Sequence, residues 1–231
     1  MEYEEVMEKL KSMASPKDVQ GMARYGINPK NNFGISIYKL RPLAKEIGKD
    51  HKLALRLWDS GIHDARLLAV FIDDPVELTS EQMDFWAKDF DSWDVCDQAC
   101  TSLFDMSPLA WKKVSDWAER KEEFVKRAAF SLLAGLAVHD KKASDEQFTD
   151  FADLFKKHAT DERNYVKKAV NWAIRNIGKR NEILNERMIA LSKKILLLDS
   201  KSARWIANDA IRELTSEKVQ KRIKKKSKQF L

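Results

Sequence analysis

The stretch Tyr165–Lys179, YVKKAVNWAIRNIGK, decides the fold. Val166, Val170, Ala173, Ile174 and Ile177 recur at three- and four-residue spacing, which places them on one face of an α-helix. Upstream, Val125, Ala129, Leu132 and Leu136 form a second stripe of the same period. After Pro108 the chain has no further proline and only two glycines, Gly135 and Gly178, so little interrupts helix. No segment alternates as a strand does. The chain therefore reads as all-α, with helices expected at roughly 2–13, 16–24, 36–48, 50–59, 62–73, 79–89, 92–105, 108–119, 121–139, 144–158, 162–179, 183–199, 201–214 and 216–228.

The two stripes are also related to each other. Val125-Lys126-Arg127-Ala128-Ala129 aligns with Val166-Lys167-Lys168-Ala169-Val170 at an offset of 41, and Trp172-Ala173-Ile174-Arg175 with Asp209-Ala210-Ile211-Arg212 at 37. Both offsets approach the period of HEAT and armadillo helix pairs, about 40–47 residues. Such pairs stack into a solenoid whose concave face serves as an extended binding surface. The expectation is a single HEAT-like repeat domain over residues 1–231. Gly26–Gly34, GINPKNNFG, is expected as a surface loop of that domain rather than a linker.

The 231 residues carry 42 Lys and Arg against 36 Asp and Glu, a formal charge of +6. That excess is concentrated at the end: residues 217–231 hold one acidic residue and seven basic ones, among them Lys218, Lys221 and Arg222. This segment is expected as a basic tail on a neutral body, and a solvated tail does not make the body bind nucleic acid. Cys96 and Cys100 are the two cysteines, one helical turn apart, a poor fit to a disulfide framework. No Cys/His spacing suits zinc. The start MEYEEVMEKL lacks the apolar core of a signal peptide and no apolar run is long enough to span a membrane, so a cytoplasmic protein is expected.

Three side chains conflict with ordinary amphipathic packing. On a helix from Ser92, the residues Trp93, Cys96, Cys100, Leu103 and Phe104 share an apolar stripe, and Asp97 falls at its edge beside the Trp93 indole. Asp97 is either a partly desolvated functional carboxylate or a cap or ion-pair partner for a neighbouring helix. Asp94 lies further round and reads as solvated or structural. Arg127 projects from an otherwise apolar helix, where its guanidinium needs a partner, either a bound phosphate or an acidic residue tying two repeats together. Trp172 faces away from the apolar stripe of its helix, among Lys168, Arg175, Asn176 and Lys179. That arrangement suits an aromatic surface against nucleic acid, or a Trp packed under the next repeat. His51, His63, His139 and His158 have no metal spacing and are expected at the surface or in loops.

Taken in order, these segments resemble the AlkD-like DNA alkylation repair glycosylases. The resemblance rests on Met22-Ala23-Arg24-Tyr25, on Ser92-Trp93-Asp94-Val95-Cys96-Asp97, on Val125-Lys126-Arg127-Ala128-Ala129 and on Tyr165 through Trp172. It implies Trp93, Asp97, Arg127 and Trp172 as active-site residues and Tyr25 as the N-terminal aromatic; Lys126 beside Arg127, and Lys168, Arg175 and Lys179 around Trp172, are expected as DNA-binding cations. Some members carry a Trp doublet where this chain has Ser92-Trp93, which implies a smaller aromatic surface here. The implied activity is that of a monofunctional glycosylase releasing cationic alkylpurines from double-stranded DNA, acting as a monomer without metal or cofactor. The alternative is a non-catalytic helical-repeat scaffold that binds nucleic acid or protein.

Overall fold

The computed structural model describes residues 1–227, with side chains through Lys225; Lys228 lies outside the described residues. Every expected helix region is helical, and no strand occurs among the described residues. The chain divides into two compact units, Met1–Ala110 and the residues from Trp111 onward.

The first unit contains α1 (Tyr3–Ser12), α2 (Pro16–Ala23), α3 (Ile37–Ile47), α4 (His51–Asp59), α5 (His63–Ile72), α6 (Ser80–Lys88) and α7 (Trp93–Ser102). Helix α5 is apolar on nearly all sides, with Ala65, Leu67, Leu68, Ala69, Val70 and Ile72 all buried. A helix of that composition belongs in the middle, and α3, α4 and α7 all pack on it. The aromatic core lies alongside: Trp58 and Trp86 stack with ring centroids 4.0 Å apart, and Phe90 meets Trp58 edge-on at 6.0 Å. The expected helix 92–105 stops early. At Leu103 the backbone leaves helical angles (φ −145°, ψ −61°), and Phe104–Met106 forms a single 3-10 turn that buries Phe104 against Trp86.

The loop between α2 and α3 is fixed in place rather than free at the surface. Asp64 on α5 accepts the backbone N–H groups of Phe33 at 2.6 Å and Ile35 at 2.7 Å, and Asn31 accepts from the His63 N–H at 2.8 Å. Gly34 is required here. Its φ is +75°, and a Cβ would stand 2.5 Å from the Ser15 carbonyl oxygen and 2.9 Å from the Val19 nitrogen.

Along the second unit run α8 (Ala110–Ala118), which opens it, α9 (Glu123–His139), α10 (Asp145–Thr149), α11 (Ala152–His158), α12 (Asn164–Ile177), α13 (Glu182–Leu196), α14 (Lys201–Leu214) and α15 (Glu217–Ser227). The region expected as one helix at 144–158 is two. The break falls at Phe151 (φ −82°, ψ 5°), whose ring stacks on Trp111 at 6.1 Å. Helix α9 packs on α12, and α12 on α14, so successive repeats meet through alternate helices. Side-chain ties between them recur at the repeat distance. Asn176 donates to the Ala134 carbonyl 42 residues back, and Arg180 to the Ala137 carbonyl 43 residues back. Arg180 also reaches the carbonyls of Asp140 and Ala143, which satisfies the C-terminal end of α9.

The basic segment is part of this stack. Val219 and Ile223 are buried, α15 packs on α13 and α14, and Gln220 bonds the Asn185 side chain and the Leu214 carbonyl. Its cations therefore occupy the outer face of a packed helix as far as the described residues extend.

Candidate nucleic-acid interface

In the first unit, Trp93 is the first residue of α7 and its indole Nε1 donates to the Tyr25 carbonyl at 2.9 Å. The contact is secured from both sides. The Asn28 N–H donates to Ser92 Oγ at 2.9 Å, and Asn28 Nδ2 to Asp91 at 2.7 Å. The loop after α2 and the start of α7 are thus one assembly, and it leaves the Tyr25 side chain 77% exposed. Asp97 is half-buried one turn along α7 from Trp93, and its carbonyl accepts from Thr101 Oγ1 at 2.7 Å. The stripe beneath is as expected: Cys96, Cys100, Leu103 and Phe104 are all buried. Neither cysteine is in a disulfide, and burial pushes the Cys100 thiol well above its usual range, so it remains uncharged.

Asp94 is structural, with His63 as its partner. Its Oδ2 lies 2.8 Å from His63 Nε2, and His63 Nδ1 lies 3.9 Å from Asp64. His63 is buried, contrary to its expected surface position, because it opens the central helix α5. Burial opposes its charged form, but the hydrogen bond and charge of Asp94, with Asp64 and Asp91 nearby, outweigh it and raise the His63 pKa. His158 is likewise buried rather than exposed; there burial and the charge of Lys126 lower its pKa. His51 is held at 2.6 Å by Asp73.

In the second unit, Arg127 is only 5% exposed. Its Nη1 donates to the Tyr165 carbonyl at 2.7 Å, 38 residues on, and the guanidinium sits 5.9 Å from the Tyr165 ring centroid. It thus joins two repeats through backbone. Trp172 is half-buried on α12, with Val166, Val170, Ala173, Ile174 and Ile177 buried on the opposite side as the periodicity requires.

Two of the cations around Trp172, Arg175 and Lys179, are paired with carboxylates of α14. Arg175 pairs closely with Glu213 and lies 3.7 Å from Asp209, and Lys179 reaches Glu213 at 2.8 Å. Burial raises the Glu213 pKa, but Lys179 and Arg175 together hold it below the usual carboxylate value. Lys126 lies 3.6 Å from Asp161, both side chains largely covered. Lys168 is exposed and forms no ion pair with another described residue. The signal for this neutralisation was available: Asp209 and Glu213 stand one repeat beyond Asn171 and Arg175, at a separation of 38 in each case.

Among the described residues no group of three or more His, Cys, Asp or Glu side chains can hold a metal ion. No helix among them is long and apolar enough to cross a membrane.

Residues 6–214 match the family model described as DNA alkylation repair enzyme. No curated protein matches the chain. Among solved structures, one described as a new family of proteins related to the HEAT-like repeat DNA glycosylases, with affinity for branched DNA structures, has a TM-score of 0.77. It is 20% identical, and the alignment covers 92% of this chain and 95% of that one, a likeness of fold. A designed armadillo repeat protein in complex with a (KR)4 peptide aligns over 80% of this chain and 88% of its own at 15% identity, with a TM-score of 0.36 that carries no argument.

Proposed function

Since this chain belongs to the DNA alkylation repair enzyme family, we propose that it is a monofunctional glycosylase. In this reading it hydrolyses the N-glycosidic bond of cationic alkylpurines, of the 7-methylguanine and 3-methyladenine type, in duplex DNA. The observation that carries the reading is the pairing of a half-buried carboxylate, Asp97, with an indole fixed one turn away through its bond to the Tyr25 carbonyl.

The chemistry asks for little more. Alkylation at purine N3 or N7 makes the base cationic, so bond cleavage releases it neutral and no general acid is needed. Positive charge then develops on the deoxyribose as an oxocarbenium, which the Asp97 carboxylate stabilises while orienting or deprotonating the attacking water. Partial desolvation strengthens that interaction. The Trp93 indole offers a face for the sugar cation, worth about 0.5–2 kcal/mol according to exposure, and Trp172, on the second unit, is assigned to the duplex. Lys168 is assigned to a phosphate, where it positions the duplex without reading sequence, and Arg127 braces the start of α12 through the Tyr165 carbonyl. The partner is double-stranded DNA carrying the lesion, bound by a monomer.

Asp97→Asn tests this directly. Release of 7-methylguanine from methylated duplex should fall by at least two orders of magnitude with duplex affinity within about twofold of the parent. Unchanged release removes Asp97 from the reaction.

A second reading is binding to DNA without base release. It is favoured by the ion pairs of Arg175 and Lys179 with Glu213, which leave less charge for a duplex than the sequence suggests, and by the described affinity of the structural relative for branched DNA. Tight binding to a four-way junction with no base release from alkylated duplex would select it.

A further inference from the structure

The first unit contains a cleft of roughly 410 Å³ that none of the residues assigned above lines. It opens where the C-terminal ends of α3, α5 and α7 converge, and its walls include Arg41, Lys45, Lys49, Phe71 and Ser102. Three cations line it and no carboxylate does. Cations near helix C-terminal ends are expected on electrostatic grounds alone, and Lys49 fits that role by donating to the carbonyls of Phe71 and Asp73. Lys45 also stands in the last turn of α3, whereas Arg41, in the middle of that helix, does not fit that role.

Arg41 is held ready instead. Its Nη2 donates to Gln98 Oε1 at 3.1 Å, and its guanidinium lies over the Phe71 ring at 4.7 Å. Gln98 is itself fixed, accepting from Ser102 Oγ at 3.3 Å. A guanidinium has five N–H donors, so one hydrogen bond and a ring leave it free to bind an oxyanion with two parallel bonds. Lys45 follows one turn later, exposed and without an ion pair to another described residue. Tyr38 shares their face of α3 and is 82% exposed, while Leu40 and Leu43 on the other side are buried. An aromatic left in solvent one turn before two uncompensated cations is the composition of a surface that tracks a nucleic-acid backbone.

We propose that this cleft is a phosphate subsite: Arg41 and Lys45 hold one phosphodiester of the DNA backbone, and Tyr38 lies against the adjoining nucleotide. The proposal rests on the reading that the chain binds DNA and is independent of base release. It extends the interface along α7, whose Gln98 orients Arg41, whose Asp97 is the residue before Gln98 and whose first residue is Trp93.

The test is the affinity of the full chain for an undamaged duplex between about 50 and 200 mM salt. Arg41→Ala/Lys45→Ala should weaken binding roughly tenfold at the lower salt and flatten the slope of log affinity against log salt by about one to two, as expected for one or two lost phosphate contacts. Lys45→Arg should restore the parent slope at that position, and Lys11→Ala, an exposed lysine on α1, should change neither quantity. Lys45→Glu, a single change at an exposed side chain, keeps the test available if the double variant does not fold. A folded double variant with the parent affinity and slope overturns the proposal, as does a parent that does not bind DNA. Loss of binding in a protein that releases no base would uphold the subsite while rejecting glycosylase activity.

Discussion

His63 Nε2 lies 2.8 Å from Asp94 Oδ2, and this buried pair connects the start of α5 to the first turn of α7. The neighbouring Asp64 holds the loop after α2 by its backbone, so three segments that meet around Trp93 depend on this corner. The His63 pKa is raised in the folded state, despite the opposing effect of burial, chiefly by Asp94. A raised histidine contributes stability that is fully present below its unfolded pKa of about 6.5 and is lost as pH rises through the higher folded value. Urea unfolding across pH 6 to 9 should therefore show stability declining over the alkaline side of that unfolded value. His63→Gln should remove the decline and, because it leaves Asp94 largely buried without its cation, cost about 2–4 kcal/mol at pH 6. A pH profile identical in the variant and the parent would contradict the assignment.

Much of this was legible in the sequence, and the exceptions have a common cause. The apolar period of α12 and the 41-residue echo between α9 and α12 describe an all-helical repeat. The repeat was detectable only in the second unit because its helices are long enough to keep that spacing: α9 has 17 residues and α12 has 14. In the first unit the helices are shorter, and the equivalent ties, such as Trp58 to Asp89 and His63 to Asp94, span 31 residues. The placement of Asp97 at the edge of a buried stripe follows from a hundred-degree step per residue alone. Periodicity within one helix does not report which charge on another helix stands opposite, and for that reason Glu213, Asp209 and the His63–Asp94 pair were not anticipated.

Glu213 gives the sharpest test of what the second unit contributes. Its carboxylate holds both Arg175 and Lys179, two cations whose placement around Trp172 suggests DNA contact. Glu213→Gln keeps the shape and removes the charge. The expected cost in stability is about 1–2 kcal/mol, since the pair is only partly buried. Duplex affinity at low salt should rise, with the salt slope steepening by up to about two as the released cations become available to phosphates. Unchanged affinity and slope would mean that Arg175 and Lys179 serve only to join α12 to α14.

The basic C-terminal segment makes a prediction that differs from what its charge suggests. A solvated tail removed at residue 217 would lower DNA affinity and leave folding untouched. Helix α15, however, buries Val219 and Ile223, and Gln220 bonds both the Asn185 side chain and the Leu214 carbonyl at the end of α14. Fully burying an aliphatic side chain contributes roughly 1.5–3 kcal/mol, so removing this helix uncovers apolar surface on α13 and α14. Ile223→Asp should accordingly destabilise the protein by about 3 kcal/mol or more while leaving the net charge of the segment strongly positive. Thermal unfolding measures this, and the companion variant Lys221→Ala/Arg222→Ala should leave the midpoint within a degree or two because both side chains are exposed. A stable Ile223→Asp protein with weakened DNA binding would instead make the segment an electrostatic arm, with α15 contributing nothing to the repeat stack.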